Sequence, residues 1–242
     1  MKTARCFPRR KRRSAFSVVE LLVVVVIMGV LALLAITAMR PLRTSGRRMK
    51  CAANLRQIAV LMAGYLADNN GYYPIASEEL KNSKGENIGV REFWPGKLVK
   101  HSGLQNYNCF VCPGLKTEEV HPDLVNSRKG NDFAFAYVSY GINRYALSPS
   151  LSEERGPINA RKISEPSKVL MLVDFDSKSQ PNMGWHLATR ATMLAGWDYN
   201  RERHHGAVNV LFCDGHVELV TSSETMGGKA AGGEPWFEKQ FY

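Results

Sequence analysis

The sequence lacks the local signatures of several enzyme classes. Neither Ser139 nor Ser167 has the glycine context of a nucleophile elbow, and no glycine-rich loop is suited to cradling phosphate. Asp174 and Asp176 follow an apolar run, without an evident partner acid for acid–base chemistry. We therefore expect no enzymatic activity, although an envelope hydrolase that uses the C-terminal histidines is an alternative.

Acidic residues are absent from the first 15 positions, which contain seven lysines and arginines. The 242-residue chain has a formal net charge of +10, but residues 16–242 account for only +3 of it. Most of the excess positive charge therefore belongs to the N-terminal segment. A basic nucleic-acid-binding surface is not supported, and no nucleic-acid partner is expected.

Charge is also absent from residues 21–39, which form 19 consecutive uncharged positions. As a helix they would be about 28 Å long, close to the roughly 30 Å hydrocarbon core of a bilayer. No A-x-A-like cleavage site follows them, so we expect the segment to remain in the membrane. Glu20 lies at its start, where a carboxylate costs about 2.5–3.5 kcal/mol on insertion scales, and we therefore expect Glu20 to be functional.

The basic leader, Ala15, Phe16 and Glu20 resemble the processing site of type IV prepilins and type II secretion pseudopilins. Most members have Gly before the cut, where this chain has Ala15. The resemblance implies that a prepilin peptidase cleaves between Ala15 and Phe16 and that Phe16 is N-methylated. It also implies that Glu20 pairs with the Phe16 amine of a neighbouring subunit during assembly. The alternative is a plain anchor with Glu20 at the level of the lipid headgroups.

A second helix is predicted over Arg47–Asp68, ending at Asn69-Asn70-Gly71. Its predicted apolar face comprises Met49, Ala52, Leu55, Ala59, Met62 and Leu66. Pro41 is expected to kink or break the chain between the two helical pieces. Together the pieces resemble the long N-terminal helix of pilins, although an unrelated helix joined by a loop is an alternative.

Several further segments resemble those of a large class of pseudopilin-like proteins. They are C-x-x-N-L-R-Q from Cys51, N-G-x-x-P from Asn70, residues 139–143 and residues 166–171. Between them, residues 75–130 are rich in proline and glycine and are expected to form loops. Strands are predicted at 133–140 and 168–173, while residues 184–197 are ambiguous.

Asp214-Gly215, flanked by apolar runs, predicts a β-hairpin with a two-residue turn and Cys213 opposite His216. In that register one face is uniformly apolar and should be buried: Val208, Val210, Phe212, Val217 and Leu219. His204, nine intervening residues and Asp214-Gly215 together resemble the H-X9-DG signature found at the C-terminus of many prepilin-type proteins.

The mature chain would keep four cysteines: Cys51, Cys109, Cys112 and Cys213. Outside the cytoplasm, at least one disulfide among them is the preferred interpretation, with three connectivities open. Cys109 and Cys112 form a lone C-x-x-C, which is half of a zinc site. A structural zinc completed by Cys51 and Cys213, or unpaired or redox thiols, are the alternatives.

A metal site among His204, His205, Cys213 and His216 is a further alternative, because imidazole and thiolate are suitable ligands. Structural roles are preferred for these residues, since turn chemistry alone accounts for Asp214. No cofactor is expected, with a metal ion left as an alternative.

The predicted fold is α+β and pilin-like, with a long N-terminal helix packed on a small antiparallel sheet with long loops. The expected segments are a leader (1–15), a transmembrane helix (16–40), its amphipathic continuation (41–70), a globular domain (71–221) and a Gly-rich and aromatic tail (222–242).

The predicted function is that of a pseudopilin-like assembly protein of a type II secretion or type IV pilus-like system. It would lie in the bacterial inner membrane with a cytoplasmic N-terminus and a periplasmic domain. Its partners would be membrane lipid, a prepilin peptidase and other pilin or pseudopilin subunits. The alternative is a membrane-tethered protein that binds a ligand or metal outside the cytoplasm and never polymerises.

Overall fold

The computed structural model divides the chain into two units, Met1–Arg43 and Thr44–Tyr242, and each is described by itself. The structure describes residues 17–115, 138–144, 147, 156–174, 176–177, 180–184, 187–188, 204 and 207–221. The leader with its Ala15–Phe16 junction, His205 and the tail from residue 222 lie outside the described residues.

The first unit contains the beginning of helix α1 (Val18–Asp68). Its segment Val18–Ile36 is long and apolar enough to cross a membrane, with a mean hydropathy of 3.0, and none of it is buried among the described residues. The expected N-terminal apolar helix is therefore present. Helical structure continues through Pro41, so the break that proline would favour in a soluble helix does not occur.

The second unit contains the rest of α1, whose buried face includes Cys51, Leu55, Ile58 and Met62 at three- and four-residue steps. The prediction was correct for Leu55 and Met62 but wrong for Met49, whose side chain is 65% exposed. Alanines and methionines also occupy the neighbouring face of the helix. The apolar pattern therefore predicted where the helix lies in the chain, but not which of its faces is buried. The helix ends as predicted, with Gly71 at φ 83° and its N–H donating to the carbonyl of Leu66 at 2.7 Å.

The expected loops after residue 75 are wrong over much of their length, because a hairpin and a helix lie there. Strands β1 (Ser77–Lys81) and β2 (Asn87–Phe93) pair antiparallel, and helix α2 (Trp94–Ser102) follows directly. Pro95 lies in the first turn of α2, and Gly103 ends it with φ 67°. Both residues are compatible with these helix termini, although in the sequence they indicated loops.

Among the described residues, the main sheet has five strands: β3 (Tyr140–Asn143), β4 (Leu170–Asp174), β7 (Leu187–Ala188), β8 (Val208–Phe212) and β9 (Val217–Val220). They lie side by side in the order β7-β3-β4-β8-β9. All neighbours pair antiparallel except β3 and β7, which are parallel. Two short strands, β5 (Asp176–Ser177) and β6 (Gln180–Gly184), form a separate antiparallel pair. The architecture is α+β, as predicted.

The C-terminal hairpin forms where the sequence predicts it, but its register differs by one residue. Leu211 pairs with Val217, and the N–H of Phe212 donates to the carbonyl of His216 at 3.0 Å. The loop therefore has three residues and ends at Gly215, whose φ is 91°. The shift reverses the faces expected of β9, and Leu219 is exposed.

One hydrophobic core joins the second-unit part of α1 to α2 and the main sheet. It includes Leu55, Ile58, Met62, Trp94, Phe110, Tyr140, Ile142, Leu172 and Leu211. Strands β4 and β8 are buried along their whole length. Residues at the ends of these strands are therefore removed from water, which places the candidate site in the interior.

Candidate functional site

Four side chains from distant parts of the chain meet inside the second unit. They are Cys51, Cys112, Asp174 and His204, whose potential metal-binding atoms all lie within 4.8 Å of one another. The exposed fraction of each residue is 0%. We call these four residues the buried cluster.

Each member of the buried cluster is positioned by a different element. Cys51 lies on the buried face of α1, and Asp174 is the last residue of β4. Cys112 follows a short 3-10 turn at Asn108–Phe110, while His204 precedes β8. The cluster therefore connects a helix, a loop and two strand ends.

Asn54 positions the segment that carries Cys112. It lies one turn after Cys51 on α1, and its side-chain amide donates to the carbonyl of Val111 at 2.9 Å. The same amide lies within hydrogen-bonding distance of the carbonyl of Asn108, at 3.4 Å. The C-x-x-N spacing thus puts Cys51 and Asn54 on one face of the helix, where one joins the cluster and the other holds its neighbouring loop.

The distances within the cluster are those of direct polar contacts. The thiol of Cys51 donates to Asp174, with Sγ 3.1 Å from Oδ1 and 3.2 Å from Oδ2. Nε2 of His204 lies 3.2 Å from Oδ2 of Asp174 and 3.3 Å from Sγ of Cys112. Asp174 and His204 therefore contact each other, and each also makes a polar contact with one cysteine: Asp174 with Cys51, and His204 with Cys112.

A second layer of groups donates hydrogen bonds to the cluster. The Tyr140 hydroxyl donates to Sγ of Cys51 at 3.4 Å, and the N–H of Gly114 donates to Sγ of Cys112 at 3.3 Å. Asn209 donates to Oδ2 of Asp174 from its backbone N–H at 3.1 Å and its amide at 3.3 Å. Such donors stabilise the anionic forms of thiol and carboxyl groups.

His204 is held through its backbone as well as its ring. Nη2 of Arg48, one turn before Cys51 on α1, donates to the His204 carbonyl at 2.8 Å. Nδ1 of the His204 ring is buried and has no hydrogen-bond partner among the described residues. The contacts of Nε2 with Asp174 and Cys112 therefore orient the His204 ring.

Burial dominates the electrostatics of the cluster. It raises the pKa of the Cys51 thiol, and hydrogen bonding to Cys112 and the charge of Asp174 raise it further. Burial alone would lower the pKa of His204, but hydrogen bonds to Asp174 and Cys112 reverse the effect and raise it to about 10. Without a cation, the arrangement therefore favours a neutral Cys51 thiol beside an imidazolium–carboxylate pair.

The cysteines did not pair as the sequence predicted. No disulfide joins Cys51, Cys109, Cys112 and Cys213 in the part of the chain that the structure describes, so the expected bridge is not present there. Cys109 of the C-x-x-C pair is buried in the hydrophobic core but is not a member of the cluster. The 3-10 turn at Asn108–Phe110 separates the directions of Cys109 and Cys112, and a zinc site built from all four cysteines is therefore not formed.

Of the proposed ligands that the structure describes (His204, Cys213 and His216), His204 belongs to the cluster and the other two do not. His216 is part-exposed at the hairpin, where its ring stacks on Phe212 with centroids 4.3 Å apart. Its backbone N–H donates to Oδ1 of Asp214 at 3.0 Å, which confirms the turn role of that residue. Cys213 also lies outside the cluster.

Sequence reasoning missed Asp174, Asn54, Tyr140 and Asn209 as parts of the site. Two signals pointed to them: a Cys and an Asn three residues apart on an apolar helix face, and an Asp that ends a wholly apolar strand. A polar group on a buried face needs a partner. The partners themselves were not identifiable, because they come from separate segments.

Glu20 makes a local contact at the start of α1. The backbone N–H of Ser17 donates to Oε2 of Glu20 at 2.9 Å, and the N–H of Val19 donates to Oγ of Ser17 at 3.3 Å. This reciprocal pattern resembles a capping box, in which two side chains satisfy the first free N–H groups of a helix. Glu20 therefore has a structural partner within its own chain.

Comparison with known proteins identifies the N-terminal segment. Residues 10–36 match the family model described as the prokaryotic N-terminal methylation motif. The matched segment contains the predicted cleavage junction, Glu20 and most of the apolar helix. No curated protein and no solved structure matches the chain. The motif indicates a prepilin-like substrate of a prepilin peptidase with an apolar N-terminal anchor.

Proposed function

We propose that this protein is a pseudopilin-like structural subunit associated with a type II secretion or type IV pilus-like system. The observation that carries the proposal is the methylation motif at residues 10–36. It coincides with an apolar helix long enough to cross a membrane. The globular unit would lie on the periplasmic side of the inner membrane, with the basic leader in the cytoplasm.

The role of Glu20 follows from its position in the apolar helix. In a filament its carboxylate would pair with the N-terminal amine of a neighbouring subunit, so that both charges are compensated in a low-dielectric environment. In the single chain Glu20 accepts from the N–H of Ser17. Assembly would thus exchange an internal hydrogen bond for a charge pair between subunits.

The proposed role is structural and not enzymatic. The buried cluster brings together thiols, an imidazole and a carboxylate, which are the side chains of many active sites. Its members are 0% exposed, however, so a substrate does not reach them in this conformation. Such burial is typical of a group that holds the fold together and not of a site that binds and releases a ligand, which favours the structural subunit over a tethered binding protein.

Processing tests the first part of the proposal. The full-length protein is expressed in a bacterium with a prepilin peptidase and in a matched strain without it, and its intact mass is measured. We expect loss of residues 1–15 and gain of one methyl group only when the peptidase is present. An uncleaved chain in both strains would contradict the proposal.

Assembly tests the second part. Glu20→Val is compared with Glu218→Gln, which changes an exposed acid on β9, by cross-linking in membranes of a strain with its own secretion system. We expect both variants to be cleaved and anchored, while only Glu20→Val loses the cross-linked oligomers. Monomers alone in the wild type would instead support the tethered binding protein.

A further inference from the structure

The buried cluster has the donor set and spacing of a tetrahedral metal site. Zinc binds Cys sulfur at about 2.3 Å and His nitrogen or carboxylate oxygen at about 2.0–2.2 Å. Ligand atoms at the corners of such a tetrahedron lie roughly 3.3–3.8 Å apart. The contacts of 3.1–3.3 Å between cluster atoms are close to these values, and all four ligand atoms lie within 4.8 Å of one another.

We propose that Cys51, Cys112, Asp174 and His204 bind one zinc ion, which joins α1 to the sheet. Two thiolates, one imidazole nitrogen and one carboxylate oxygen fill all four positions of the ion, as in structural zinc sites. No position remains for water or substrate, and the cluster is fully buried. The ion is therefore structural.

The donor set selects among metals. Calcium requires six to eight oxygen ligands and magnesium prefers octahedral oxygen sites, whereas this cluster offers one carboxylate. Iron–sulfur clusters are commonly held by four cysteines, and only two are present here. Two thiolates with nitrogen and oxygen in a tetrahedral arrangement suit zinc.

The groups around the cluster suit the bound form. Tyr140 and Gly114 each donate to one cysteine sulfur, and Asn209 donates to the carboxylate. Outer hydrogen bonds of this kind orient metal ligands and tune their charge. The ring nitrogen of His204 that contacts the ligand groups of Cys112 and Asp174 is Nε2.

Charge is nearly balanced when zinc is present. Two thiolates and a carboxylate carry three negative charges, of which the ion compensates two. The Arg48 guanidinium, which donates to the His204 carbonyl, brings one positive charge to the same end of the site. A buried group of ionisable residues is costly unless its charges are compensated in this way.

The C-x-x-N and H-X9-DG segments acquire a common explanation under this proposal. Cys51 and His204 are ligands, while Asn54 holds the loop that carries Cys112. The nine residues after His204 contain β8 and lead directly to the hairpin turn. The ligand His204 and the turn at Asp214-Gly215 are thus separated by the length of one central strand.

The zinc proposal does not depend on processing by a prepilin peptidase or on filament assembly.

Metal content of the wild-type protein provides the first test. The full-length chain is purified in detergent under reducing conditions without chelator, and zinc is measured by mass spectrometry. We expect one zinc per chain, and a cobalt-substituted protein with thiolate-to-cobalt charge-transfer bands and tetrahedral d–d bands. No stoichiometric zinc after incubation with equimolar zinc would overturn the proposal. The proposal would also be overturned if protein isolated without reductant contains a Cys51–Cys112 disulfide and binds no zinc after that disulfide is reduced.

Matched variants locate the ion. Cys112→Ser is expected to weaken zinc binding at least about 100-fold, whereas Cys109→Ser, in the 3-10 turn just before it and outside the cluster, keeps one zinc per chain. Retention of zinc by the double variant Cys51→Ser/Cys112→Ser would overturn the assignment. Because loss of a ligand can prevent folding, alkylation of the wild-type thiols in moderate urea, where the buried cluster opens transiently, is measured in parallel. Zinc should protect Cys51 and Cys112, and chelator should expose them; equal labelling with and without zinc contradicts the site.

Discussion

Sγ of Cys51 and Oδ1 of Asp174 lie 3.1 Å apart, although 123 residues separate them in the chain. One residue belongs to α1 and the other ends β4, so the contact fastens the helix to the central strands of the sheet. Because both residues are fully buried, the stability of the globular unit depends on how each polar group is compensated.

Replacement of Asp174 by Asn should destabilise the globular unit strongly. The substitution removes the charge that His204, Cys51 and Asn209 surround, and breaking a buried charge network typically costs about 3–5 kcal/mol. Urea unfolding of the detergent-solubilised chain, followed by the fluorescence of its tryptophans, measures the loss. Asp214→Asn in the hairpin turn is the control, and we expect it to change the free energy of unfolding by less than about 0.5 kcal/mol. Equal effects at the two positions would contradict the buried network.

Two methionines of α1 should respond differently to truncation. Met62 is 0% exposed and Met49 is 65% exposed, although their spacing predicted one common face. Met62→Ala should therefore cost about 2–5 kcal/mol, whereas Met49→Ala should lie within about 0.5 kcal/mol of the wild type. Chemical unfolding of both variants tests this difference, and a larger loss at Met49 would show that the helix is rotated from its described position.

The hairpin loop should require glycine at position 215. Its φ of 91° lies in the left-handed region, while a Cβ there would meet nothing within 4 Å. Gly215→Ala should therefore cost about 1–2 kcal/mol from backbone strain alone, and Gly215→Asn should cost less. Gly156→Ala, also in open space but without positive φ, serves as the control in thermal unfolding. A neutral Gly215→Ala would contradict the left-handed conformation at this position, which the three-residue loop and a two-residue type I′ turn both require.

Alkaline pH should destabilise the globular unit, in part through Cys109. Burial raises the pKa of this thiol from 9.0 to about 11. In the unfolded chain the thiol ionises near pH 9, so between pH 9 and 11 the unfolded state loses its proton first. Stability contributed by the protonated folded form is complete below pH 9 and declines as pH rises through this window. Urea midpoints from pH 8 to 11 should thus fall less steeply for Cys109→Ala, and an unchanged slope would contradict the raised pKa.

Local sequence patterns predicted those features that depend on neighbouring residues. The apolar helix follows from an uninterrupted uncharged run, and the end of α1 follows from Asn70 and Gly71. The hairpin turn was also located from Asp214-Gly215, but the register depended on Asp214, which lacks the positive φ that a two-residue type I′ turn needs. A single backbone angle distinguishes a three-residue loop from a two-residue turn, and composition does not determine it.

The buried cluster was less predictable, because its members share no local pattern. Cys109 and Cys112 suggested a common role through their spacing, yet a short 3-10 turn directs only Cys112 to the cluster. Asp174 was visible only as the end of an apolar strand. The tertiary packing of four separate segments determines which polar groups come into contact. Because these segments are far apart in the sequence, no local pattern predicts those contacts.

The distance along the chain between Cys51 and His204 also determines when the fold becomes complete during synthesis. The amphipathic part of α1 leaves the ribosome more than 130 residues before His204 and β8. Until then Leu211, which belongs to the same core as Leu55, is not available to cover the helix. A chain interrupted before residue 204 would retain an intact N-terminal motif and an uncovered apolar helix face. Such products would be recognisable to envelope proteases and chaperones as unfinished, even though their leader is normal.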